Sequence, residues 1–169
     1  VNVPVAIFNE VSSKNMIASN IVEGAGAGIH VSGSDNTQIW NNTISHALTS
    51  IAIREDSRSK GCNARKEDGS CAAEEKWSIE HGLSWDTTGT EVFNNILSSE
   101  QSSALADDKW RYSATLQVVG GKNDDGSGAF YANEMVAGID HNAYYRAPAQ
   151  PEVPNTTRWS TFAGSGSTS

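Results

Sequence analysis

The sequence predicts an all-β protein of the parallel β-helix type, and three observations predict it. A short signature recurs at an offset of 22 residues, one Asn stays in register within every copy, and the apolar positions fit neither a simple strand nor a helix. The stretch NTQIWNNTISHALTSIAI, Asn36 to Ile53, shows the third point: its apolar residues keep neither a period of two for long nor one of three to four. The missing period belongs to a coil longer than any single element.

The offset is read by laying Asn15 to Val31 over the stretch that begins at Asn36. Ile17 then falls on Ile39, Asn20 on Asn42, Val22 on Ile44, Ile29 on Ile51 and Val31 on Ile53. The signature apolar-x-x-Asn-x-apolar returns at Val92, Asn95 and Leu97 and again at Ile139, Asn142 and Tyr144, at intervals of 53 and 47 residues. Residues are therefore inserted between the later copies. In a parallel β-helix each coil covers the apolar face of its neighbour, so inward Ile, Val and Leu stack in columns. The Asn sits at a tight corner, where it is expected to adopt the left-handed conformation and bond the Asn above and below. Asn20, Asn42, Asn95 and Asn142 form the expected ladder. An antiparallel sandwich is the competing architecture, but it gives no reason for Asn to recur in register with flanking Ile.

Taken in chain order, Val5 to Ile7 is a strand of the first coil, with Gly28 to Val31 and Ser50 to Ile53 as its equivalents. In the fourth coil the equivalent is read at Ser103 to Ala106, with Thr115 to Val118 as the second candidate. Between these strands and the next Asn corner lie insertions at about 54–88 and 107–134, expected to leave from the same corner and wall a groove along the stacked strands. The β-helix is placed at 1–146. Residues 147–169 are Pro-rich and then Gly/Ser-rich, a tail with the composition of a linker or a disordered segment.

Composition narrows the function. With 12 basic and 20 acidic residues the formal net charge is -8, and no Lys/Arg-rich run occurs, which excludes nucleic acid as a partner. No apolar run reaches the length of a membrane span, so no membrane partner is expected either. Cys62 and Cys71 bracket the polar stretch GCNARKEDGSC, where a disulfide would restrict an otherwise loose loop and imply an oxidising, extracellular compartment. Two soft ligands are too few for a metal site of their own.

The repeats NMIASNIVEGAGAGIHVSGS and NTQIWNNTISHALTSIAIREDS, with GIDHNAYYR, resemble the right-handed parallel β-helix (pectate-lyase-like) superfamily of secreted microbial proteins, over Val3 to Arg146 with two interruptions. That resemblance implies a right-handed single-stranded solenoid of about five coils and a carbohydrate-active function. The superfamily includes polysaccharide lyases, glycoside hydrolases, uronan epimerases and phage tailspikes, so the fold does not fix the chemistry. Its cylinders are usually longer and capped, which implies that the rest of a longer β-helix chain completes this one.

Chemistry is sought on residues that point out from the repeated strands or follow them. Those are His30 in the second coil, Arg54, Glu55 and Asp56 after the third, and Asp107, Asp108 and Lys109 after the fourth. Neighbouring coils lie ~4.8 Å apart, within reach of one sugar. A hydrolase needs two carboxyls, which Asp56 with Asp107 or Asp108 would supply. A lyase needs a base such as Arg54, Lys109 or His30, with Ca²⁺ or Arg neutralising the substrate carboxylate and Asp56, Asp107 and Asp108 as candidate Ca²⁺ ligands. The same residues also read as solvated corners with local ion pairs. Trp77, Trp85, Trp110 and Tyr112 fall in or beside the insertions, where they either stack on sugar rings or anchor the loops. A polysaccharide is the expected partner, with a non-catalytic glycan-binding or structural solenoid as the alternative.

Overall fold

The structure, a computed structural model, describes residues 4–55, 58, 60–100, 114–121, 132–147, 157–161 and 164–168, the last two stretches by backbone alone. The chain visits three sheets in cyclic order. The first pass gives β1 (Val5–Ser13), β2 (Met16–Ala18) and β3 (Ile21–Glu23), and the second gives β4 (Ala27–Asp35), β5 (Gln38–Trp40) and β6 (Thr43–Ala47). The third runs through β7 (Thr49–Arg54), a short helix α1 (Lys76–Glu80), β8 (Thr90–Phe93) and β9 (Ile96–Glu100). The fourth holds β10 (Leu116–Val119), α2 (Ala132–Met135), β11 (Val136–Asp140) and β12 (Ala143–Ala147), followed by β13 (Thr157–Thr161) and β14 (Gly164–Thr168).

Like strands of successive passes stack. Sheet A has the order β1-β4-β7-β10-β13-β14, sheet B β11-β8-β5-β2 and sheet C β12-β9-β6-β3. All pairings are parallel except that of β13 with β14. This topology is compatible with a β-helix solenoid, and its parallel pairing excludes the antiparallel sandwich. The register is that of the sequence offset: Ile7, Ile29, Ile51 and Leu116 are partners in sheet A, Ile17, Ile39, Val92 and Ile139 in sheet B, and Val22, Ile44, Leu97 and Tyr144 in sheet C. These columns point inward and make one core, in which Ile29, Ile39, Ile44, Ile51 and Ile53 are fully buried. Each such side chain contributes roughly 1.5–3 kcal/mol relative to exposure.

The Asn ladder forms at the corner between sheets B and C. Asn20 donates its backbone N–H and its Nδ2 to Asn42 Oδ1 (3.0 Å each), Asn42 does the same to Asn95 Oδ1 (2.9 and 3.0 Å), and Asn95 to Asn142 Oδ1 (2.9 and 2.8 Å). Each later Asn also reaches back to a carbonyl of the pass before it: Asn42 to Ile17, Asn95 to Ile39 and Asn142 to Val92. One expectation is corrected here. The left-handed residue is not the ladder Asn but the one before it: Ser19 (φ 58°), Asn41 (57°), Asn94 (57°) and His141 (56°). The reversal comes first, which leaves the Asn backbone N–H and side chain aimed together along the stack.

Two further sequence assignments shift. The strand that follows β7 in sheet A is β10, with Leu116 opposite Ile51, so the second candidate, Thr115 to Val118, supplies it. Ser103 to Ala106 lies outside the described residues. Consequently β10 sits inside the stretch assigned to the 107–134 insertion and divides it. In sequence, β9 of sheet C ends at Glu100 and β10 of sheet A begins at Leu116, while β10 ends at Val119 and α2, just before β11 of sheet B, begins at Ala132. The tail contains two strands, and β13 joins β10 in parallel.

Candidate functional site

Alternation along a strand puts every second residue of sheet A on its outer face. One outer row is Phe8, His30, Ala52 and Gln117, and the next is Glu10, Ser32, Arg54 and Val119. The Phe8 ring stacks on His30 with centroids 4.8 Å apart and planes 29° from parallel. Arg54 donates from its guanidinium to Gln117 Oε1. Along the first row burial deepens: Phe8 is exposed, His30 half-buried, and Ala52 and Gln117 buried. The face is therefore open at its first two strands and enclosed at the next two.

The first insertion is fastened to this face. Arg58 forms an ion pair with Glu10 and lies over the Trp85 ring, 5.5 Å from its centroid. Thr87 returns the chain to the sheet: its hydroxyl donates to Arg54 O and accepts from Gly33 N–H (2.8 Å each). Its own N–H donates to both carboxylate oxygens of Glu55 (3.1 and 3.3 Å). Within the insertion Cys62 and Cys71 form the expected disulfide, and antiparallel bridges pair Cys62 with Glu74 and Arg65 with Cys71. Asp68 turns this hairpin by accepting from the N–H and hydroxyl of Ser70, which holds its carboxyl below the usual range. Glu75 caps α1 by accepting from Ser78 N–H, with the same effect on its carboxyl.

The candidate residues divide accordingly. His30 and Arg54 stand in adjacent rows of the outer face, where Arg54 contacts Gln117. Glu55 lies beside them at the corner, and its carboxylate is bound to the Thr87 backbone. Trp77 is 57% exposed on α1, its ring stacked on His81 at 4.2 Å and 20°. Trp85 is 2% exposed, the burial of a loop anchor. Asp56, Asp107, Asp108, Lys109, Trp110 and Tyr112 lie outside the described residues. Because β10 is the fourth strand of sheet A, Asp107, Asp108 and Lys109 precede it in the chain instead of following it.

Phe8, Glu10, Arg58 and Gln117 belong to the face and escaped the sequence reading. For two of them the signal was the offset of 22, which carried backward takes His30 to Phe8 and Ser32 to Glu10. Gln117 follows from the second candidate strand, Thr115 to Val118, by the same alternation, while Arg58 had no signal because it reaches the face from within an insertion.

Chemically the face offers an imidazole backed by an aromatic ring, a guanidinium and an amide, a set suited to hydroxyl groups and to proton transfer. Among the described residues no three His, Cys, Asp or Glu gather as metal ligands, and the candidate Ca²⁺ ligands Asp56, Asp107 and Asp108 lie outside those residues. Among those residues no helix is long and apolar enough to cross a membrane. No protein-family model, curated protein or solved structure matches the chain.

Proposed function

We propose that the chain is a secreted carbohydrate-active protein, a right-handed parallel β-helix of about five coils resembling the pectate-lyase-like superfamily. It binds a polysaccharide along the outer face of sheet A and cleaves it there by hydrolysis or β-elimination. The observation that carries this reading is the row Phe8, His30 and Gln117 beside Arg54, on strands whose spacing suits a polymer and against an insertion braced by the Cys62–Cys71 disulfide. Rings such as Phe8 cover the C–H face of a sugar, while Arg54, held in place by the buried Gln117, bonds its hydroxyls. The disulfide supports an oxidising, extracellular setting.

Between the two chemistries the described residues favour β-elimination. It needs a positioned base and a cation, for which His30 and Arg54 are at hand, whereas Glu10 and Glu55 are held by Arg58 and the Thr87 N–H. That engagement of both carboxylates also favours a second reading, a non-catalytic glycan-binding or structural solenoid of the adhesin or tailspike kind. Incubation with a panel of neutral and uronic polysaccharides separates these readings. A lyase yields an unsaturated product that absorbs in the ultraviolet, a hydrolase yields reducing ends alone, and a binder is only retained on the polymer. No product and no retention on any glycan refutes both readings. If cleavage occurs, His30→Ala should reduce its rate by about 100-fold or more while retention changes little.

A further inference from the structure

The outer side of the corner between sheets B and C carries a row of its own, Ser19, Asn41, Asn94 and His141, all left-handed and all exposed. Asn41 differs from the ladder Asn beside it. Its backbone N–H donates to Phe93 O (3.2 Å), but its side-chain amide bonds no described residue, whereas that of Asn42 is buried and committed within the stack. Asn41 also begins Asn41-Asn42-Thr43, the Asn-x-Thr acceptor pattern for N-linked glycans. Asn94, the other amide of the row, is followed by Asn95 and Ile96 and so lacks the hydroxyl at the third place. The pattern's other occurrence begins at Asn155, which lies outside the described residues.

The neighbouring face gives a second, independent observation. Thr43 points outward from sheet C, where Ile21, Thr43, Ile96 and Ala143 are partners along one row and Tyr145 stands beyond Ala143 on the same side. Ile96 has a strand on each flank, β6 and β12, and is still 57% exposed; Ala143 and Tyr145 are exposed as well. An apolar patch around the hydroxyl of an acceptor pattern, beside an uncommitted amide, fits a bulky polar cover. A pyranose lays C–H groups on aliphatic side chains and turns its hydroxyls to water. The Cys62–Cys71 disulfide fits the oxidising lumen in which such glycans are attached.

We propose that Asn41 is an N-glycosylation site and that the first sugars of its glycan lie on the outer face of sheet C over Ile96. In the attaching step Asn41 Nδ2 bonds C1 of a sugar carried on a polyprenyl pyrophosphate. The C1–O bond breaks with its electron pair staying on the pyrophosphate, and one amide proton leaves. The exposed corner tolerates the glycan because no ladder bond involves the Asn41 side chain. Sheet A does not border this corner, so the face proposed to hold the polysaccharide stays uncovered. From the proposed function the inference takes only the secretory route, not the cleavage.

The test expresses the full chain in a eukaryotic secretion host. Treatment with an amidase that removes N-glycans should lower the intact mass, and peptide mapping should then find Asn41 converted to Asp. Asn41→Gly, which keeps the left-handed corner, and Thr43→Ala should each abolish this modification, Thr43→Ser should retain it, and Asn155→Gln should not alter it. An unmodified Asn41 in chain recovered from the medium or the secretory lumen overturns the proposal, as does modification that survives Thr43→Ala. Placement is read by retention on a hydrophobic column. Removing the glycan should raise retention, and in Ile96→Thr that rise should shrink by about half or more. A rise equally large in Ile96→Thr overturns the cover over Ile96, since the Asn-to-Asp change is common to both chains and cancels. Cleavage of polysaccharide enters none of these readouts, so failure of the proposed function and failure of this inference are told apart.

Discussion

Two corners of the same coil behave differently. The corner between sheets B and C takes the same short form in all four passes, a left-handed residue and then the ladder Asn. The corner between sheets A and B begins alike, with left-handed Lys14 and Asn36, but in the third pass the chain leaves after Arg54 and returns only at Thr87. The return is accurate: Asn36 donates to Thr88 O, Gly89 takes the left-handed place above Asn36, and Glu91 donates to Thr37 O. Asn42 and Asn95 are buried with every bond made inside the stack, so extra residues there would strand several polar groups at once. At the A-to-B corner an insertion has only to bring its two ends back together, a cost that grows slowly with length. The corner that carries structure is thus closed to insertion, and the one beside the outer face of sheet A is open to it.

The sharpest way to break this contrast is Asn95→Ala. It removes the donors to Ile39 O, Phe93 O and Asn142 Oδ1 and the acceptor for Asn42, all in a buried setting. A loss of about 3–4 kcal/mol in urea unfolding is expected. Asn20→Ala at the half-buried end of the ladder should cost only about 1 kcal/mol. Equal losses at the two positions would show that the amides act singly and not as a stack. Thr87→Ala tests the other corner. Its hydroxyl ties Arg54 O to Gly33 N–H, so about 2 kcal/mol is expected, with faster hydrogen exchange at Gly33.

Why the sequence revealed one corner and not the other follows from the same contrast. Columns such as Ile17, Ile39, Val92 and Ile139 and the four Asn repeat because each copy meets the same neighbours, so register could be read without coordinates. The fourth strand of sheet A was ambiguous because both Ser103–Ala106 and Thr115–Val118 are short and apolar, and only pairing with Ile51 decides between them. The outer face was half legible. His30 and Arg54 follow from alternation along the strand, while Arg58 and Trp85 reach it through tertiary contacts made by an insertion that has no counterpart in other passes. The left-handed residue was misplaced because Asn is itself a good left-handed residue, and composition alone does not tell it from the Ser, Asn or His before it.

The disulfide sharpens the comparison further. Cys62 and Cys71 are nine residues apart and close only the hairpin of the insertion. Cys62→Ser with Cys71→Ser should therefore act locally. The amides of Asn63 and Ala72, which bond Ala73 O and Ala64 O across the hairpin, should exchange markedly faster, while global unfolding shifts by less than about 1 kcal/mol. A global loss as large as that of Asn95→Ala would mean that the insertion is part of the main cooperative unit.

Acid provides the gentlest separation of the two corners. The ladder amides do not titrate, whereas the insertion relies on carboxylates, two of them within it: Glu75 at the start of α1 and Asp68 in the hairpin turn. Both carboxyls are held below their ordinary values, the first chiefly by the Ser78 N–H and the second chiefly by the Ser70 hydroxyl. A carboxyl depressed by folding adds stability that is present above its unfolded pKa and disappears as pH falls through the folded one. Exchange at the Ser78 and Ser70 amides, corrected for its intrinsic dependence on pH, should therefore accelerate as pH drops below the usual carboxylate range. The Asn42 and Asn95 amides should show no such change over the same interval. In Glu75→Gln the acid response at Ser78 should vanish while that at Ser70 remains; loss of both together would join the helix cap and the hairpin turn into a single unit.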